Sequence, residues 1–90
     1  MGKQEFNVAV ELKISVQDDS DLPKVSKGLG TLSHVKIQSV EEKDIGFGIK
    51  AIQAIILMQD GEGGVDLLEE NIRKIDGVSE VDIQNVTRLI

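Results

Sequence analysis

The residues able to do covalent chemistry are few. The 90-residue chain holds one histidine, His34, two arginines, Arg73 and Arg88, and no cysteine. Without cysteine there is no disulfide, no thiolate metal site and no thiol nucleophile. A single imidazole offers neither a second ligand for a zinc site nor a complete nucleophile–base arrangement. His34 therefore reads as a surface residue at the start of a strand. Asp60-Gly61-Glu62-Gly63-Gly64 resembles a calcium loop in composition, but the twelve-residue ligand pattern with its closing Glu is missing. Those glycines precede a helix, yet no Lys-Ser/Thr pair follows, so the segment is no phosphate-binding loop. No nucleophile, base and oxyanion donors converge. The expectation is a protein that is not an enzyme and has neither metal nor cofactor.

Binding chemistry is better represented. Gly46-Phe47-Gly48 sets an aromatic side chain between two glycines, with no bulky neighbour to bury it, as a partner-docking anchor would be set. RNA-recognition motifs carry a Gly-Phe-Gly on their third strand, but Ile45 stands here in place of the basic residue, and Ile49 and Ile52 in place of the stacking aromatics. The formal net charge is −6, with two Phe and neither Tyr nor Trp. An acidic chain without stacking platforms argues against direct contact with nucleic acid. Residues 60–82 alone hold eight acids and two bases, whereas Arg88 is the one charged residue among the last eight. The acids Asp66, Glu69 and Glu70 fall in the first turns of a helix, where they meet its dipole favourably.

The elements that must position these residues follow from hydrophobic spacing. Phe6, Val8, Val10, Leu12, Ile14 and Val16 alternate with polar residues, predicting a long strand with one buried face. Gln17 to Asp21 ends it and offers N-caps, and Pro23 suits a first helical turn. Leu22, Val25 and Leu29 share a face of that helix, which Gly28 and Gly30 keep short. Ser33–Val40 reads as a second strand with Val35 and Ile37 inward, and Glu41–Asp44 as a charged turn. Ala51–Met58, apolar on both faces, predicts an interior strand. Val65, Leu68, Ile72 and Ile75 are spaced for an amphipathic helix with Gly77 as C-cap. Val78–Val86 closes the set, with Val81 and Ile83 inward and residues 87–90 as a tail. Strand, helix, strand, strand, helix, strand over residues 1–90 predicts one domain. Its class is α+β, a ferredoxin-like split β-α-β: a four-stranded antiparallel sheet with two helices on one face. The longest apolar run, Ala54–Met58, is far below the roughly 20 residues of a membrane helix, and the N-terminus lacks a signal-peptide core. The expectation is a soluble, cytoplasmic protein with no membrane contact. Acylphosphatases share this size and order, but their phosphate loop and its Arg are not present after the first strand.

Ile45-Gly46-Phe47-Gly48-Ile49-Lys50-Ala51 before an Ile-rich strand, the Asp60–Gly64 turn before a helix, and a Val-Thr-Arg-Leu-Ile terminus resemble the translation elongation factor 1-beta family in its short archaeal form. The resemblance spans essentially the whole chain. It implies guanine-nucleotide exchange on the GTPase elongation factor 1-alpha. A ferredoxin-like RNA-binding or small-ligand-binding module is the alternative reading, and the free protein is expected to be a monomer. The resemblance also implies which residues meet the GTPase. Phe47, between Gly46 and Gly48, matches the family's docking Phe, and Lys50 matches the Lys after Gly-Ile. Thr87, Arg88, Leu89 and Ile90 form the terminus whose basic residue enters the partner's magnesium site, Arg88 being that residue. Family members with Lys in place of Arg88 end at the following Leu, so Ile90 is an extension. Asp44 stands where a Pro is common, and the first helix is shorter than usual.

Overall fold

The computed structural model describes residues 6–32, 34–46, 49–59 and 64–89. Four strands form one antiparallel sheet: β1 (Val8–Val16), β2 (Lys36–Gly46), β3 (Ile49–Met58) and β4 (Val78–Arg88), in the order β2-β3-β1-β4. Helices α1 (Leu22–Leu29) and α2 (Gly64–Arg73) cover one face. The expected ferredoxin-like fold is therefore the observed one. The alternation of β1 explains the one-sided core. Val8, Val10, Leu12 and Ile14 are buried, and with Ala54, Ile56 and Met58 of β3 they meet Leu22, Val25 and Leu29 of α1 and Leu68 and Ile72 of α2. Full burial of each aliphatic side chain is worth roughly 1.5–3 kcal/mol by transfer. Asp18 caps the 3-10 turn that leads into α1 by accepting from the Ser20 amide at 3.0 Å.

Two glycines are required by geometry. A Cβ on Gly28 would lie 2.7 Å from Ile75 Cγ2, so the hydrogen at this position is what lets α1 approach the chain leaving α2. Gly77, at φ +100°, turns that chain into β4, and its carbonyl accepts from the Gln17 amide at 2.9 Å.

The structure corrects several expected boundaries. Glu41–Asp44 is not a turn: Glu41 pairs with Gln53, and Asp44 with Lys50, so β2 runs on to Gly46. Charged residues on an edge strand read as a turn because their side chains stay in water, where they also discourage pairing with another chain. Residues 87–89 are not a loose tail. Thr87 pairs with Ala9 and Arg88 with Val8, and the Leu89 amide donates to the Asn7 carbonyl at 2.9 Å. The start of β1 has backbone groups on that side to satisfy, and β4 satisfies them. β1 begins at Val8, leaving Phe6 ahead of it. Val35 and the half-buried Ile75 lie outside β2 and α2. His34 precedes β2, exposed and in the left-handed region at φ 64°.

Candidate partner-binding site

The strand directions decide where each expected site residue falls. β1 pairs antiparallel with both neighbours, Val8 lying opposite Arg88 on one side and Met58 on the other, and Ser15 opposite Ala51. Arg88 and Leu89 therefore sit at the end of the sheet where β1 starts. Gly46 and Lys50 sit beyond the end where β1 finishes, on a hairpin that outruns its neighbour. At about 3.3 Å per residue the two groups are about 26 Å apart along the strands. The expected residues thus form two patches rather than one. Phe47, Gly48 and Ile90 lie outside the described residues.

The hairpin patch combines exposed apolar and charged side chains. Ile45 is 43% and Ile49 50% exposed. Gly46, at φ +104° with no atom within 4 Å of an added Cβ, makes the bend, and its amide donates to the Asp44 carboxylate at 3.1 Å. Lys50 is exposed beside its pairing partner Asp44. The apolar flanks Ile45 and Ile49 escaped sequence reasoning as site residues. Their signal was present, since two isoleucines next to a glycine-bounded Phe exceed what a solvated turn needs.

The other patch is aimed by a bulge. Leu12 pairs with Ile83 and Glu11 with Asn85, so Gln84 is an extra residue in β4. The inward set consequently changes parity, from Val81 and Ile83 to Val86 and Arg88, which lie opposite Val10 and Val8 on the helix side of the sheet. In a regular strand Val86 and Arg88 would face the other way. Neither helix covers this corner, so Val86 and Leu89 remain 46% and 47% exposed, with Arg88 exposed between them. The result is an exposed cation that shares the helix side with Val86 on a hydrogen-bonded strand end, with Leu89 next to it in the ladder. Thr87, opposite Ala9, faces the open side of the sheet.

Nothing else in the described residues suggests metal or catalytic chemistry. No group of three or more His, Cys, Asp or Glu is arranged to hold a metal ion among the residues described. No described helix is long and apolar enough to cross a membrane.

Comparison with known proteins gives consistent results. The family model for the EF-1 guanine nucleotide exchange domain matches residues 9–89. Elongation factor 1-beta of Thermoplasma acidophilum is 38% identical over 86 residues, covering 90% of this chain and 96% of that protein. That of Aeropyrum pernix is 35% identical over 86 residues, covering 91% and 96%. For Thermoplasma volcanium the identity is 44% over 52 residues, 58% of this chain and 59% of that protein. Among solved structures, the ACT domain from GTP pyrophosphokinase of Chlorobium tepidum superposes with a TM-score of 0.63 at 14% identity, covering 89% of this chain and 100% of that one. The C-terminal domain of MgtC from Mycobacterium tuberculosis gives 0.65 at 11%, covering 97% and 93%. These two likenesses show the fold alone.

Proposed function

The chain belongs to the EF-1 guanine nucleotide exchange domain family, and from that premise we propose that it accelerates GDP release from elongation factor 1-alpha. The family match across residues 9–89 carries this reading. The protein acts by binding and breaks no covalent bond, so it is an exchange factor rather than an enzyme in the usual sense.

The mechanism we propose assigns Arg88 to the nucleotide site. A GTPase holds GDP partly through a magnesium ion that bridges the phosphate to a hydroxyl and a carboxylate. A guanidinium brought to that ion's position makes charge-assisted contacts with the same oxygens and disfavours the metal. Losing magnesium weakens GDP and GTP alike, so exchange becomes faster without a change in its equilibrium. A thousandfold acceleration needs about 4 kcal/mol of coupling. The exposure of Arg88 on the same face as the exposed Val86 supports this assignment, because an apolar neighbour can exclude water beside the cation. So does the strand pairing of residues 87–89, since a cation held on a sheet end loses less freedom on insertion than one on a loose tail. The hairpin residues Gly46, Phe47, Gly48 and Lys50 form the second contact in this reading. The two patches then engage two separate regions of the GTPase.

The test is GDP release from elongation factor 1-alpha, with this protein added, across a magnesium titration. Competition for one cation position requires that excess magnesium slow the release. Acceleration that is indifferent to magnesium overturns the inserted-cation mechanism while leaving the exchange activity standing.

A further inference from the structure

The helix layer carries a feature apart from the two patches assigned to exchange. Gly28 and Ile75 bring α1 and the end of α2 into contact, and a groove of about 650 Å³ runs along their outer side. Lys24, Lys27 and Thr31 line it from one side, Asn71, Lys74 and Ile75 from the other. Lys24 is already matched, at 3.3 Å to Asp21 and 3.2 Å to Asp76. Lys27 and Lys74, one on each side of the groove, make no ion pair among the described residues. Two unmatched cations facing one channel are unusual in a chain of net charge −6.

The groove also adjoins an apolar cavity. Leu32 and Asn71 line both it and a second hollow of about 350 Å³, where Phe6, Met58, Leu67 and Leu68 stand beside the polar His34 and Gln59. Leu67 stands at its lip, 56% exposed, on the first turns of α2. A shallow groove bearing two lysines beside a hollow with leucine, methionine and phenylalanine in its wall matches a ligand that is anionic at one point and apolar at the next.

We propose that this groove docks a short acidic protein segment, with a carboxylate between Lys27 and Lys74 and an apolar side chain in the adjoining cavity against Leu67 and Leu68. Charge complementarity selects an anion, and carboxylate–ammonium contacts of this kind fix register as well as adding affinity. The apolar hollow selects a peptide over a nucleic acid, because a phosphodiester chain has no aliphatic group to fill it. The groove also offers no aromatic platform for a base. The inference does not rest on the exchange reading.

The experiment is amide chemical-shift mapping on the isotope-labelled full chain, titrated with a capped peptide Asp-Asp-Leu-Phe-Asp-Leu. Parallel titrations use the same peptide with Ser in place of its apolar residues, oligothymidylate, and inorganic phosphate. Saturable shifts are expected at Lys27, Thr31, Leu67, Asn71 and Lys74 with the acidic apolar peptide, and weaker ones with the Ser version. The double variant Lys27→Glu, Lys74→Glu is expected to bind the acidic peptide about tenfold more weakly. It should gain affinity for the charge-reversed peptide Lys-Lys-Leu-Phe-Lys-Leu, which a purely structural role for the lysines does not predict. Leu67→Ser, an exposed position that keeps the fold, should erase the difference between the apolar and Ser peptides. The proposal is overturned if these amides do not respond to the acidic peptide. It is equally overturned if oligothymidylate or phosphate moves them as strongly, or if charge reversal leaves the preference unchanged.

Discussion

Arg88 acts, in this account, through its charge and position rather than through any contribution to the core. Arg88→Ala is therefore expected to leave the melting temperature nearly unchanged and to reduce exchange sharply, as GDP-release kinetics beside a melting curve would show. Arg88→Lys should retain more activity, because a point charge can still oppose magnesium although it lacks the planar fork. An Arg88→Ala protein that exchanges at the parental rate contradicts the assignment. Phe47→Ala is expected to weaken binding to the GTPase by about 1–3 kcal/mol at unchanged stability. A large loss of stability with unaltered binding would make Phe47 a core residue instead. Neither role is visible in composition, since one arginine near a terminus and one phenylalanine between glycines are each compatible with a solvated surface. Both assignments come from the resemblance to the family's motifs. The bulge at Gln84, which turns Arg88 to the helix side, was not legible in the sequence, where only Val81 and Ile83 read as inward.

The elements were readable wherever a face is buried and obscure where it is not. β1 and α2 followed from their periods because the core enforces them. The far half of β2 did not, because Glu41 to Asp44 occupy an edge strand that buries little, and local polarity there resembles a turn. Nor did the pairing of residues 87–89, which depends on backbone groups of β1 rather than on any side chain. The approach of the helices is likewise a tertiary fact, and it gives a sharp expectation. Gly28→Ala should destabilise by about 1–3 kcal/mol, since its methyl meets Ile75 Cγ2. Ile75→Ala, which removes Cγ2, in the same chain should recover part of that loss, and a double-mutant cycle in denaturant measures it. Additive effects would mean that the two residues do not oppose each other. Lys24 ties the same region together electrostatically. Its hydrogen bonds to Asp76, then Asp21, raise its pKa above the ordinary 10.5. The folded state thus holds this proton more tightly, so the contribution is complete below the ordinary pKa and fades as pH rises through the raised value. Melting curves of Lys24→Met against the parent should differ by a constant amount up to the ordinary pKa of 10.5 and converge only as pH rises through the raised value.

At the scale of the whole molecule, the elongated shape, 44 Å by 21 Å by 20 Å, separates the hairpin patch from the Arg88 patch. Sites about 26 Å apart that engage separate regions of one GTPase should contribute additively. A protein altered at both Phe47 and Arg88 is expected to show the sum of the two single effects in free energy. The Phe47 change should fall mainly on affinity and the Arg88 change on the rate of release from the bound complex. The separation itself could not be read from the sequence, where Lys50 and Arg88 are two points on a line. It follows from strand order and from β4 pairing back along β1. Family membership, fold and the two patches meet in the claim that this protein drives guanine-nucleotide exchange. The most direct measurement of that claim is the release of labelled GDP from elongation factor 1-alpha, followed in excess unlabelled nucleotide with and without substoichiometric amounts of this protein. The account expects release to accelerate by orders of magnitude, with each molecule of the protein serving many GTPase molecules. Release at the unassisted rate, from a GTPase shown to be active, would contradict it.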